Sequence, residues 1–130
     1  NKVFTSVGGV IWTTRTLPST HIWRQVVANG TKLAVFDLNG NVVVSLDDGA
    51  TWTSGTLSMT CLQMAITSGN GLWLALQGAG ATTGYATSPD GLTWTNGTLP
   101  SSAPWGYSGY GDRFVVMDTT TNCATSLTGL

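Results

Sequence analysis

Glutamate is absent from this chain, and charge of either sign is scarce. Charged residues make up 8% of the 130 residues, against about 25% in ordinary domains. The six acids are all aspartate, and Lys and Arg together number five. A net charge of −1 gives no broad field, which argues against nucleic acid as a partner. The single histidine, His21, lacks the companions that a zinc site or a Ser–His–Asp triad needs. Two cysteines, Cys61 and Cys123, are too few for a disulfide scaffold. They pair only if the fold brings their Cα atoms within about 7 Å; the alternative is two buried free thiols. No run approaches the roughly 20 apolar residues of a membrane-spanning helix, so no membrane insertion is expected. No phosphate-binding loop, dinucleotide fingerprint or Cys-x-x-Cys occurs, so no cofactor is expected.

A hydrophobic content of 42% excludes wholesale disorder. Polarity comes from 22 threonines and from Ser, Asn and Gly, which suits solvent faces of β-strands. The chain also repeats. Trp12, Trp52 and Trp94 are spaced by 40 and 42 residues, and each opens a string of the form Trp-Thr-x-x-Thr-Leu. Upstream of each lies a Ser and a Gly turn: Ser6–Trp12, Ser45–Trp52 and Ser88–Trp94. A fourth copy opens at Ser126 and stops at Leu130, before its Thr-Trp. With a start at Asn1 instead of Met, this predicts a processed chain or a segment of a longer one.

Between the tryptophans the residues read as short strands: 22–28, 32–36 and 42–45, then 62–67, 72–76, 85–88 and 94–98, then 105–110, 113–117 and 122–126. Residues 2–6 read as a third strand, like 123–126. Four strands in 40 to 45 residues is the arithmetic of a β-propeller blade. The expected fold is all-β: blades of four antiparallel strands, about three of them, with split strands at the ends. The units are residues 1–12 (the end of a split blade), 12–52, 52–94 and 94–130. Three blades cannot close a ring, so closure needs further blades of the same chain or a homo-oligomer partner.

Ser45–Trp52 and Ser88–Trp94 resemble the Asp-box, Ser-x-Asp-x-Gly-x-Thr-Trp, of bacterial-neuraminidase-type repeats. The second copy is one residue short, and the first and fourth units put Gly8 and Thr128 where the acid belongs. Sialidases, sortilin-like receptors, some glycoside hydrolases and repeat arrays of secreted or virion proteins carry this box. The resemblance implies an architecture more than an activity. It assigns Ser45, Asp47, Gly49, Trp52, Ser88, Asp90, Gly91 and Trp94 to structural turns at the blade periphery. Asp accepts backbone N–H bonds there, Gly supplies positive φ, and Trp covers the turn. Asp47 and Asp48 together supply too few oxygens for calcium, which takes about six to eight, so no metal site is expected.

A sialidase site, as the resemblance implies it, uses three arginines, a Tyr–Glu pair and an Asp. Arg15, Arg24 and Arg113 are present, but no Glu. No catalytic residue is assigned, and the chain is not expected to be an enzyme. Binding is expected at the loops opposite the boxes. The candidates are Trp23 and Trp105 as stacking platforms and Asp37, Asn39, Asn41, Thr82, Thr83, Asp118 and Asn122 as hydroxyl partners. Both tryptophans have core packing between blades as their alternative role. The expected function is non-catalytic recognition of a cell-surface glycan or protein receptor, on a virion or extracellular protein. The composition also looks like phage tail-fibre and bacterial surface repeat arrays. A purely structural module of a larger assembly, or a fragment of an Asp-box glycosidase whose catalytic residues lie elsewhere, are the alternatives.

Overall fold

A computed structural model describes residues 1–59, 65–78 and 80–126. The described residues form strands and turns with no helix. Strands arise where β-branched and aromatic residues cluster, and they end at Gly turns of positive φ such as Gly30, Gly40 and Gly71. Two strands form an N-terminal hairpin, β1 (Lys2–Val7) and β2 (Ile11–Thr16). Next comes a four-stranded antiparallel meander: β3 (Gln25–Asn29), β4 (Lys32–Phe36), β5 (Asn41–Ser45) and β6 (Thr53–Thr56). A second meander has β7 (Ile66–Gly69), β8 (Leu72–Leu76), β9 (Thr82–Ser88) and β10 (Thr95–Ala103). The last sheet is three-stranded: β11 (Trp105–Tyr110), β12 (Phe114–Asp118) and β13 (Cys123–Ser126). None of the sheets closes on itself, and the whole is an incomplete, propeller-like all-β fold.

The strand expectations and the strands agree closely, with local differences. β3 starts at Gln25, three residues after the expected start, although the Arg24 N–H still bonds the Phe36 carbonyl at 2.8 Å. β10 runs on to Ala103 through a register shift after Thr98; Pro100, which cannot donate to a ladder, sits in this outer strand. Cys61, the expected strand start at Leu62, and the box copy after Ser126 lie outside the described residues.

Side chains alternate along a strand, so a sheet in the middle of the stack packs on both faces. On β8, Trp73 and Ala75 point back to Phe36, Val42 and Val44 of the preceding sheet. Leu74 and Leu76 point forward to Trp105, Phe114 and Val116 of the next. A third cluster joins Val3 and Leu17 to Val35, Val43, Trp23 and Trp52. Burying each such aliphatic or aromatic side chain stabilises the stack by roughly 1.5–3 kcal/mol. The inner strands stand side by side, with β7 touching both β3 and β11. The Gln25 amide donates to the Ile66 carbonyl at 3.1 Å, and Ser68 donates to the Ala28 carbonyl. The Tyr110 ring lies against Gly69, where a Cβ would fall 1.9 Å from its Cγ.

Candidate functional site

The turns after β5 and β9 are built around one serine and one aspartate each. Ser45 is 1% exposed; its hydroxyl accepts the Gly49 N–H at 2.7 Å and donates to Asp47 at 2.8 Å. Asp47 also accepts the Thr51 N–H at 2.8 Å and the Thr51 hydroxyl at 2.6 Å. The Thr51 hydroxyl, the Thr51 N–H and the Ser45 hydroxyl together lower the Asp47 pKa to about 2. Ser88 and Asp90 repeat the pattern, with Gly91, Leu92 and Thr93 N–H groups as donors. Burial pushes the Asp90 pKa up, but those bonds outweigh it and the net shift is down. The indole N–H of Trp52 donates to the Gly49 carbonyl at 3.1 Å, and that of Trp94 to Gly91 at 2.9 Å. Trp12 does the same with Gly9 at 3.1 Å. That first hairpin has no acid. Gly8 and Gly9, in the three-residue turn between Val7 and Ile11, both take positive φ, and the buried Ser6 hydroxyl has no partner. All of these side chains serve their own turns.

The loops between second and third strands hold a second set of aspartates. Asp37, 3% exposed, accepts the N–H groups of Asn39 and Asn41 at 2.8 Å and the Asn41 amide at 2.6 Å. Asp118 binds Thr120 and Asn122 in the same way through backbone and side chain. Burial raises the Asp118 pKa, but the Asn122 and Thr120 donors overcome it and hold it near 2. Asp37 and Asp118 are therefore keystones of their loops, with their oxygens already engaged. In the middle sheet Gln77 takes this place; its N–H bonds the Gly84 carbonyl at 3.0 Å, and its carbonyl accepts the Thr82 hydroxyl. Asn41 and Thr82 are thus tied into loop bonds, Thr83 is half-buried, and Asn39 is exposed.

The two tryptophan candidates part company. Trp105 is 1% exposed, donates to the Ser101 carbonyl at 3.2 Å and belongs to the core between the last two sheets. It offers no free face for stacking. Trp23 is half-buried and meets His21 edge-on, with ring centroids 5.1 Å apart at 66°. His21 Nδ1 lies 3.4 Å from Asp37 Oδ2, which places the ring beside the carboxylate. Thr20, His21, Arg24, Asp37, Leu38 and Asn39 line a concavity of about 350 Å³. This joins the loop before β3 to the loop after β4. Of the residues expected from the sequence, only Asp37 and Asn39 line it; Asp118, Asn122, Thr82 and Thr83 do not. His21, Arg24 and Thr20 were missed as site residues. The signal for them was their position, flanking Trp23 in the loop opposite the boxes.

A larger cavity, about 830 Å³, lies between the β1–β2 hairpin and the β3–β6 sheet, and its walls are mainly strand side chains such as Val3, Phe4, Val26, Leu33 and Val35. Among the described residues no three His, Cys, Asp or Glu side chains gather as metal ligands. No family model matches the chain, and no curated protein matches it, so the geometry of the loops alone carries a functional reading.

Proposed function

We propose that the chain is a non-catalytic recognition module of the Asp-box propeller type, binding a cell-surface glycan through the concavity beside His21 as part of a virion or extracellular protein. The observation that carries this reading is the convergence of two loops on that one hollow. There the His21 imidazole, the Arg24 guanidinium and the exposed Asn39 amide supply donors and acceptors side by side. Uncharged and singly charged groups around a shallow hollow suit hydroxyl recognition, in which each group satisfies one sugar oxygen. Asp37 contributes by shaping the loop that carries Asn39, since its own oxygens are committed to that loop.

Glycan-array binding tests the reading. The native chain should retain a defined set of glycans, and Arg24→Ala and Asn39→Ala should each weaken binding about tenfold or more without changing thermal stability. Absence of any glycan signal, or binding indifferent to both substitutions, would overturn it. The structural-module alternative has its own support in the apolar residues at the ends of the stack: Phe4 is 56% exposed, Tyr107 57% and Met117 47%.

A further inference from the structure

The two ends of the stack are incomplete sheets, one of two strands and one of three. The box serines set the equivalences. Ser6, Ser45, Ser88 and Ser126 occupy one repeat position, so β1 and β13 are both third strands. In the β3–β6 sheet the third strand is covered by inner strands β3 and β4, and Val42, Val43 and Val44 are 2% exposed or less. β1 has β2 outside it but, among the described residues, no strand inside it, and Phe4 is exposed. The last sheet has the reverse composition. Strands β11 and β12 stand inside β13, and no fourth strand is described outside it.

We propose that the β1–β2 hairpin of a second copy of this chain replaces β13 on β12, completing a four-stranded blade between two molecules. The exchange adopts the register of the intact sheets. β12 pairs β13 as Phe114↔Ser126, Val115↔Thr125, Val116↔Ala124 and Met117↔Cys123. The partner hairpin therefore sets Ser6 opposite Phe114, Thr5 opposite Val115, Phe4 opposite Val116 and Val3 opposite Met117. Three observations meet in this register. First, Phe4 takes the place of Ala124, which borders a cavity of about 240 Å³ lined by Leu74, Tyr85, Leu99, Phe114 and Val116. A phenyl ring fills space that a methyl group leaves open. Second, Val3 already packs forward against Val35 and Val43 of its own chain, so the completed blade stays stacked on the β3–β6 sheet of the donor. Third, the forward face of β11–β12 presents exposed Tyr107 and Met117. Exchange carries these side chains to the 830 Å³ cavity, where Val26 is 60% exposed and Leu33 and Val35 line the wall. In the intact stack the equivalents of those wall residues, Trp73 and Ala75, meet Ala34 and Phe36, the equivalents of Val115 and Met117.

Blade arithmetic selects the number of copies. Each chain then contributes two whole blades and part of two shared ones, three blades' worth in all. Two copies make a six-bladed ring, inside the usual range of about four to eight; one or three copies fall outside it. The contact is head-to-tail, and it closes because each chain donates one hairpin and accepts one.

Sedimentation of the 130-residue chain tests the assembly; the expected mass is twice 13.6 kDa. A Cys61→Ser/Cys123→Ser background then tests the register. Chains bearing Thr5→Cys are mixed with chains bearing Val115→Cys. Directly opposed antiparallel residues lie about 4.5–5.5 Å apart at Cα, within disulfide reach, so a mixed disulfide should form under mild oxidation. Phe4→Asp should weaken dimerisation by about thirtyfold or more, with the β signal of circular dichroism retained. A monomer at every concentration, the result expected if strands of a longer chain fill the same place, overturns the proposal. A dimer in which the two introduced thiols never join overturns it equally.

Discussion

At the scale of single residues, the turns run on short polar side chains aimed at backbone N–H groups. Ser45 is the tightest case, being buried with two partners. Ser45→Ala strands the buried Gly49 N–H, a loss of about 1–3 kcal/mol that urea denaturation would register; a change within error would show the bond to be dispensable. The carboxylates add a pH dependence with a definite sign. Asp47 and Asp118 titrate near 2 in the folded chain against an ordinary 3.8. The folded state therefore binds fewer protons than the unfolded one between those values. Their stabilisation is complete above the ordinary value and is lost as pH falls toward about 2. Urea midpoints should drop over that interval, and Asp47→Asn should flatten part of the drop. An unchanged slope in that variant would mean that the Thr51 and Ser45 bonds do not favour the charged form. These bonds were legible beforehand, because Ser, Asp, Gly and Trp at fixed offsets have few other uses. The His21–Asp37 pair was not legible, since it joins two loops whose approach depends on how β3 and β4 pair.

At the scale of elements, a turn matters by what it is pressed against. Gly91 and Gly71 both adopt positive φ, at +74° and +75°. A Cβ on Gly91 would lie 2.7 Å from Val44 Cγ2 and 3.4 Å from the Trp73 ring, whereas one on Gly71 meets nothing within 4 Å. The left-handed backbone penalty of roughly 1–2 kcal/mol applies to both alanine variants. Only Gly91→Ala adds a clash with the preceding sheet, so it should lower the melting temperature several degrees more than Gly71→Ala. Equal effects would mean that the box turn is not wedged between sheets. Strand positions were readable from alternation and turn residues, and β4, β5, β8, β11 and β12 appear within a residue or so of expectation. What periodicity could not separate was Trp23 from Trp105, which head corresponding segments two repeats apart. Trp105 has the full face of β8 against it, Leu74 and Leu76 included, while Trp23 packs on the smaller cluster of Leu17, Val35 and Val43 beside the two-stranded hairpin. Neighbouring elements decide burial, and the local pattern does not contain them.

At the scale of the molecule, the sheets form a one-dimensional stack in which each contacts its neighbours. Stability in such a stack is a sum of sheet terms and nearest-neighbour interfaces, so sheets with two complete interfaces outlast those with one. The β7–β10 sheet meets a sheet of three or more strands on each side, with Trp73 and Ala75 packed on one face and Leu74 and Leu76 on the other, whereas the β3–β6 sheet has only the two-stranded hairpin on its outer face. Amide exchange should therefore be slowest in β8 and faster in β1 and β13, where a strand edge is open among the described residues. Concentration gives the ordering a second handle. If a partner hairpin occupies β12, protection of β1 should rise with chain concentration, while β8, already enclosed within its own chain, should hold steady. Protection that is uniform from β1 to β13 at low concentration would show the stack to unfold as one unit, and the open ends would then carry no separate weakness for a partner to relieve.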